Sequence, residues 1–196
     1  PSVADAVGLI RILVGAGVDT TTSLIGSGIV HLHFYPEDRR KLVENPDLWP
    51  SATEEFLRRY PPIRSLVRTC IRETGIGEHT IRPGDRLLAL VSSANQDGER
   101  FPNPLGFDAE RAPNRHLSFG AGIHQCLGMH LARAEFQTVM KRVLERMPDL
   151  AIRDEELKPY TRQSTVSGWA AIPMAFTPGA KLLPEDGTAR TYTVEA

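Results

Sequence analysis

Cys126 is the residue of this chain whose neighbours point most directly to chemistry. It lies in residues 119–128, which read FGAGIHQCLG, immediately before a segment with helical periodicity. Unpaired backbone N–H groups and the positive end of the helix dipole at such a position favour the thiolate form of a cysteine. Gly120, Gly122 and Gly128 carry no side chains, so the backbone can approach a flat partner closely. A thiolate held in this way is a suitable axial ligand for haem iron.

Three other interpretations of Cys126 stay open on these residues alone. Free cysteines are among the most buried residue types, which favours a structural thiol. His124 and His130 are close enough in sequence to act as the base for a nucleophile, although no nucleophile-elbow pattern surrounds the cysteine. Together with His116 they could also supply zinc ligands, but structural zinc sites usually use paired ligands at short spacing, and no second pair is obvious.

Two further pairs of residues could do chemistry or hold a site together. Asp19 and Thr20 place a carboxylate beside a hydroxyl, an arrangement that can deliver protons. The same residues could instead bond back to a helix or face solvent. Glu55 and Arg58 are three residues apart and can pair on one helix face. An exposed pair of this kind is common and contributes well under ~1 kcal/mol.

The composition is that of an ordinary globular protein and excludes several partner classes. The 196 residues are 41% hydrophobic and 24% charged, and 23 Lys and Arg against 24 Asp and Glu give a net charge of −1. This balance predicts no nucleic-acid partner and no anionic membrane surface. The two cysteines favour a reducing compartment, hence a cytoplasmic location. No uncharged stretch reaches the ~18 residues of a membrane span, and a start at Pro1 suggests a piece of a longer protein.

The elements that must position these residues are mainly helical. Apolar residues at helical spacing predict a long helix over 4–34, although glycines and threonines at its centre are poor helix formers. Ser51 and Glu54 fit a capping box at the start of a helix that ends before Pro61. Two more helices are predicted, a short one over 36–44 and an amphipathic one over 127–147.

The remaining segments predict small sheets and one long loop. Strands are expected over 68–72 and 86–92, with a turn-rich connection between them, and over short stretches of the tail from 158 to 196. Residues 101–126 show no regular period, and a loop of that length is usually functional. We therefore expect a mainly α fold with small β-sheets, forming a single segment over 1–196.

Four motifs in this chain together resemble those of the cytochrome P-450 family, the haem-thiolate monooxygenases. FGAGIHQCLG resembles the haem-binding loop, AGVDTT (16–21) the oxygen-activation stretch of the long central helix, and EFLR (55–58) the Glu-x-x-Arg pair. FDAERAPNRHLSFG (107–120) resembles the segment that leads into the cysteine loop. The resemblance covers nearly the whole chain and points to the soluble bacterial class. Because the family fold is about twice as long, it implies the carboxy-terminal half.

The resemblance implies a haem b site and assigns residues to it. Cys126 would be the axial thiolate ligand of the iron, and Phe119, Gly120 and Gly122 would form the loop around it. Arg68 and His116 would bind the haem propionates, since a guanidinium and an imidazole can both donate hydrogen bonds to carboxylates. Further binding positions would be provided by Ala16 and Gly17, where the small side chains leave room for dioxygen.

Other roles follow from the same resemblance. Asp19 and Thr20 would be the catalytic pair that delivers protons. Arg111 would join Glu55 and Arg58 in a structural group that locks the cysteine-loop segment to a helix. Substrate contacts are expected at Leu13, Ile63, Arg64 and Val166, a mostly apolar set in which Arg64 could hold an acidic group.

The resemblance also implies an activity and its partners. We expect a monooxygenase that inserts one atom of dioxygen into a C–H bond of a small apolar organic substrate. Electrons would come from a ferredoxin-type or flavoprotein donor, which Arg115 and Arg133 could dock. Cys70 is expected to be a buried apolar residue. The alternatives are a non-catalytic haem-thiolate sensor or binding protein and, more weakly, a zinc-stabilised interaction domain.

Overall fold

The computed structural model describes residues 2–160 and 165–179. These residues form five α-helices and eight short strands: α1 Val3–Phe34, α2 Pro36–Glu44, α3 Trp49–Arg59, β1 Ser65–Thr69, β2 Thr74–Ile76, β3 His79–Ile81, β4 Arg86–Leu90, α4 Val91–Ala94, α5 Met129–Arg146, β5 Ala151–Ile152, β6 Lys158–Pro159, β7 Trp169–Ala171 and β8 Met174–Ala175. Short 3-10 turns lie at Pro46–Leu48, Gly122–His124 and Asp154–Glu156. The mainly α fold with small sheets is confirmed.

Helix α1 is continuous and buries only its second half. Ser2 and Asp5 form a capping box at its start. The central threonines do not interrupt it, and two of their hydroxyls bond back to the helix: Thr20 donates to Ala16 O at 2.8 Å and Thr22 to Val18 O at 2.7 Å. Buried residues begin at Ser23, while the apolar residues of the first half, such as Leu13, remain exposed.

The core lies where α1 meets α3 and α5. Leu24, Phe56, Phe136 and Met140 are all buried there. Gly28 allows the close approach of α1 to α5, since a Cβ at that position would lie 3.0 Å from the Phe136 ring.

Helix α3 begins earlier than the sequence predicts. It starts at Trp49 with Pro50 in its first turn, directly after the 3-10 turn that ends at Leu48. Ser51 is already inside the helix, where its hydroxyl donates to the Leu48 carbonyl. The predicted Ser51–Glu54 capping box is therefore wrong, and the Glu54 carboxylate is left to bind elsewhere.

The strands pair as four two-stranded antiparallel sheets: β1 with β4, β2 with β3, β5 with β8, and β6 with β7. The strand predicted at 68–72 begins three residues earlier, at Ser65, and its partner stops at Leu90 because Val91 opens α4. The expected turn-rich connection contains the β2–β3 hairpin. The tail strands lie as expected up to Ala175, and the part of that prediction over 161–164 and 180–196 falls outside the described residues.

The long loop predicted over 101–126 is confirmed, with one 3-10 turn, Gly122–His124, near its end. Within the described residues, no helix is both long and apolar enough to cross a bilayer.

Candidate functional site

The Cys126 loop is closed by its own backbone. The Cys126 N–H donates to the Phe119 carbonyl at 2.8 Å, which brings the two ends of residues 119–126 together. Gly120 and Gly122 have φ values of +68° and +66°, a region that favours glycine. The cysteine itself is exposed, so it is not the buried structural thiol.

Large apolar side chains flank this exposed thiol. Ile123 is 97% exposed and Leu127 is 89% exposed. Large apolar side chains that are this exposed, on both sides of a thiol, indicate a surface that a flat apolar partner can cover. Cys70 behaves differently, as predicted: it is buried, and its Sγ lies 2.9 Å from the Arg72 carbonyl oxygen.

The zinc interpretation finds no ligand set. Among residues 2–160 and 165–179, no group of three or more His, Cys, Asp or Glu side chains is placed to hold a metal ion. His116, His124, Cys126 and His130 all lie in this range. The arrangement that the sequence left open is therefore not assembled.

Glu55 is the centre of an ion-pair group built on a fully buried Glu55–Arg58 pair. Its carboxylate accepts two hydrogen bonds of 2.8 Å from Arg58, and both side chains are 0% exposed. Arg111 Nε and Asn114 Nδ2 donate to the same carboxylate at 3.0 Å. The structure thus brings Glu55, Arg58 and Arg111 together, and they do not form the exposed surface pair that the sequence also allowed.

Arg58 extends this group into the long loop. Its guanidinium donates to the carbonyls of Asn95, Pro104 and Gly106 at 2.7–2.8 Å. Because these carbonyls belong to the chain that leads toward Cys126, α3 acts as the anchor of that chain.

Glu54 anchors the cysteine loop at a second point that the sequence did not predict. Its carboxylate accepts two hydrogen bonds from Arg133, at 2.7 and 2.8 Å, and lies 3.1 Å from His116 Nε2. Burial on its own would raise the pKa of Glu54, but the hydrogen bonds from His116 and Arg133 outweigh it and lower the pKa to about 2. No spacing in the sequence links Glu54 to Arg133. The only local signal is that Glu54 stands next to Glu55, because helix geometry turns adjacent side chains about 100° apart and so directs the two carboxylates to different neighbours.

The Glu54 group engages two residues for which the resemblance implies other roles. His116 has both ring nitrogens bonded, Nε2 to Glu54 and Nδ1 to the Ser118 N–H at 3.2 Å. Arg133 is bound to Glu54 and lies over the Phe119 ring at 4.6 Å, so its guanidinium points into the protein. His124, by contrast, is exposed on the same loop as Cys126.

The remaining predicted residues are placed as follows. On α1, Asp19 is exposed and Thr20 is half-buried. Ala16 and Gly17 lie one turn before them, and a Cβ added at Gly17 would have no heavy atom of the described residues within 4 Å. Arg68 is exposed and donates to the Val67 carbonyl. Arg115 is exposed.

The two segments predicted to contact substrate lie side by side. Ile63 and Val166 form an antiparallel bridge, and the Arg64 N–H donates to the Thr165 carbonyl at 2.7 Å. The Ser167 N–H reaches the Pro62 carbonyl at 2.7 Å. The tail therefore places Val166 beside Ile63, while Leu13 lies on the exposed half of α1.

Comparison with known proteins decides the family. The sequence profile described as Cytochrome P-450 matches residues 48–168, which contain the Glu55 group and the cysteine loop. The chain belongs to the cytochrome P-450 family. It is 37% identical over 172 residues to the steroid C26-monooxygenase of Mycolicibacterium smegmatis, an alignment that covers 88% of this chain and 43% of that protein.

Other members of the P-450 family give the same picture. The biotin biosynthesis cytochrome P-450 of Bacillus subtilis is 44% identical over 141 residues, which is 72% of this chain and 36% of that protein. The crystal structure of CYP109E1 from Bacillus megaterium with corticosterone has a TM-score of 0.84 and 31% identity, covering 89% of this chain and 47% of that one. The chain thus spans less than half the length of these relatives.

Members of the P-450 family bind haem b through a cysteine thiolate. The residues present here fit that group, because the Cys126 thiol is exposed between apolar side chains and the glycines of its loop leave the backbone open to a planar partner.

Proposed function

We propose that the intact protein, meaning the natural protein that contains this chain, is a haem-thiolate monooxygenase with Cys126 as its axial ligand. It would insert one oxygen atom into a C–H bond of a small apolar substrate. The observation that carries the proposal is the exposed thiol at the end of a loop closed by the Cys126–Phe119 hydrogen bond. When bound, haem supplies the redox chemistry that activates dioxygen.

The Cys126 loop provides the ligand and the space for the cofactor. The left-handed backbone at Gly120 and Gly122 exposes the peptide chain without side chains, so it can pack against a porphyrin face. Phe119 lies at the base of the loop, where Arg133 holds its ring. The apolar side chains of Ile123 and Leu127 would then be covered rather than exposed to water.

The propionates of the cofactor need cationic or N–H donors near the ends of this surface. Arg68 is exposed and, within the described part of the chain, uses only Nη1, in its bond to the Val67 carbonyl, so its other N–H groups can donate to a carboxylate. His116 would have to leave Glu54 to do the same. We therefore assign the histidine role to His124, an exposed imidazole two residues before Cys126, in place of the His116 assignment that the resemblance implied.

Asp19 and Thr20 are proposed to supply protons to the site. The Thr20 hydroxyl gives its own hydrogen to Ala16 O, so its oxygen is left free to accept a hydrogen bond from water. The exposed Asp19 carboxylate can pass a proton from solvent to that hydroxyl. Ala16 and Gly17 keep bulky side chains away from the helix turn before Thr20, which leaves room for dioxygen.

The substrate pocket is proposed to use Leu13, Ile63 and Val166, with Arg64 as its charged member. The Ile63–Val166 bridge presents two apolar side chains from segments that are far apart in sequence. A steroid C26-monooxygenase and a corticosterone complex among the relatives support a compact apolar substrate. We propose a ferredoxin-type or flavoprotein electron donor, and a cytoplasmic location that the two unpaired cysteines support.

Isotope labelling tests this function. The intact protein, loaded with haem and supplied with a reductase, a ferredoxin and candidate apolar substrates, is allowed to turn over under labelled dioxygen. We expect one labelled oxygen atom in each product molecule, and no label in product when only the water is labelled. A protein that binds haem and carbon monoxide but yields no product with any donor would support the sensor alternative, for which an acid–alcohol pair has no use.

A further inference from the structure

The Glu54 carboxylate joins three parts of the molecule. It comes from α3, binds Arg133 on α5 through two hydrogen bonds, and contacts His116 in the loop before Cys126. The Glu54 and Arg133 side chains are 26% and 27% exposed, whereas those of the Arg142–Glu145 pair on the same helix α5 are 64% and 60% exposed. An Arg–carboxylate pair that is half-buried and joined by two hydrogen bonds keeps one geometry, whereas the side chains of an exposed pair can move apart.

The held guanidinium bears on the cysteine loop through Phe119. Arg133 lies 4.6 Å above the centre of the Phe119 ring, within the range of a cation–π contact. The carbonyl of the same Phe119 accepts the Cys126 N–H at 2.8 Å. Glu54 therefore positions Arg133, Arg133 restrains Phe119, and Phe119 fixes the backbone of the cysteine.

The contact between Arg133 and Phe119 also brings a positive charge to the cysteine loop. Hydrogen bonding to Glu54 is the main cause that raises the pKa of Arg133, and attraction to the Cys126 sulfur adds to it. Through its contact with Phe119, whose carbonyl binds the Cys126 N–H, the guanidinium places a permanent positive charge beside the cysteine loop. A fixed positive charge next to a redox centre favours the reduced state, and a fixed negative charge disfavours it.

We propose that Glu54 and Arg133 are a positioning pair that holds Cys126 in place and sets the reduction potential of the iron it ligates. This inference rests on the proposed haem-thiolate function. It assigns an internal role to Arg133, in place of the donor docking that the sequence suggested. It also predicts that the two members of one ion pair shift the potential in opposite directions.

The test is a redox titration of the haem-loaded intact protein and its variants. Arg133→Met removes the positive charge and should lower the reduction potential. Glu54→Gln removes the opposing negative charge and should raise it. Arg133→Lys keeps the charge and should leave the potential near that of the parent. The matched controls Arg142→Met and Glu145→Gln, from the exposed pair on α5, should leave the potential unchanged.

A second readout follows the ligation of the iron by Cys126. The carbon monoxide spectrum of each reduced variant reports the fraction of iron that keeps its thiolate ligand. We expect this fraction to fall on heating sooner in Arg133→Met and Glu54→Gln than in the α5 controls. If Arg133→Met does not load haem, the raised potential of Glu54→Gln and the parental potential of Arg133→Lys decide the question.

Potentials that move in the same direction in Arg133→Met and Glu54→Gln, or not at all, would overturn the proposal, because an effect on folding alone has no reason to change sign between partners. Failure of the proposed function looks different. In that case the parent protein would itself lack the red-shifted thiolate band, before any variant is made.

Discussion

The Glu55 carboxylate holds the Arg58 guanidinium through two hydrogen bonds of 2.8 Å, and neither side chain has exposed surface. Arg111, Asn114 and the Asp108 backbone N–H also donate to this carboxylate, and the guanidinium of Arg58 donates to three backbone carbonyls as well. A buried ion pair with all its donors and acceptors satisfied fixes a structure more than it stabilises it. Here it fixes the path of the chain toward Cys126.

Glu55→Gln should therefore be strongly destabilising. The substitution leaves the Arg58 and Arg111 charges buried without their carboxylate, which costs about 3–5 kcal/mol in comparable buried pairs. Urea unfolding of the intact protein measures the change. The control Glu37→Gln removes a carboxylate from the exposed Arg40 pair and should have no measurable effect. Equal stability of the two variants would show that the Glu55 group does not anchor the loop.

Thr20→Ala should uncouple electron use from product formation. The variant loses the hydroxyl that is proposed to pass protons, so we expect product per electron to fall well below that of the parent while reductant is still consumed. Thr22→Ala is the matched control, because the Thr22 hydroxyl makes the same kind of bond, to Val18 O at 2.7 Å. The ratio of product to reductant consumed measures both. Equal coupling in the two variants would exclude proton delivery by Thr20.

His31 should make stability depend on pH. It is buried, with Nδ1 2.7 Å from Tyr60 Oη and Nε2 3.0 Å from Asp38. Burial lowers the pKa of His31 below its usual 6.5, and Asp38 only partly opposes this shift. The unfolded chain therefore takes up a proton at a higher pH than the folded one. The contribution of His31 to the free energy of unfolding should be constant above about pH 6.5. It should decline as the pH falls from there toward the lowered pKa of His31 in the folded protein.

Urea unfolding at about pH 7.5 and about pH 5.5 checks this dependence, since the two pH values lie on either side of the pKa of an ordinary histidine. His31→Phe should be less stable than the parent at the higher pH, because Asp38 and Tyr60 lose their partner, but it should lose less stability on acidification. His79→Gln, in the exposed β2–β3 hairpin, should keep the slope of the parent. A parental slope in His31→Phe would assign the acid sensitivity to other groups.

Gly168→Ala should displace the tail segment that carries Val166. A Cβ at this position would lie 2.7 Å from Ser23 Oγ on α1 and 2.9 Å from the Tyr160 ring. Overpacking of this kind costs about 1–3 kcal/mol. Thermal unfolding and the affinity for an apolar substrate measure the two effects, and Gly98→Ala, which has no neighbour within 4 Å, is the control.

The neighbour of Gly168 offers a rescue. Within the described residues, Ser23 Oγ is buried with no hydrogen-bond partner. Ser23→Ala should therefore be neutral or stabilising on its own, and it should recover part of the loss in Gly168→Ala. Strictly additive effects would show that the two sites do not meet.

The sequence predicts the elements with strong periodicity. It predicts less well the exact bounds of strands and helices, which depend on pairing with distant segments and on turns. Helices α1 and α5 and the long loop before Cys126 follow from spacing and from glycine and proline content. The first strand is displaced by three residues, because pairing with β4 rather than local composition sets its register. The start of α3 is missed since Pro50 opens the helix before the capping residues expected at Ser51.

In the candidate site, too, local pairs can be predicted from the sequence and long-range pairs cannot. The Glu55–Arg58 pair is local, at i and i+3, and is therefore visible as a spacing. The Glu54–Arg133 pair joins residues 79 positions apart, so no spacing indicates it, and the apparent capping box at Ser51 gave Glu54 another role. His116 and Arg133 likewise look available in the sequence, while packing assigns both to Glu54.

Ligation of the haem iron by Cys126 can be checked with the carbon monoxide difference spectrum of the reduced intact protein, recorded for the parent, Cys126→Ser and Cys70→Ser. The two variants make the same atomic change, one at the exposed loop and one at the buried Cys70. We predict a strongly red-shifted Soret band in the parent and in Cys70→Ser, and its loss in Cys126→Ser. A red-shifted band that survives Cys126→Ser would contradict the assignment of Cys126 as the haem ligand.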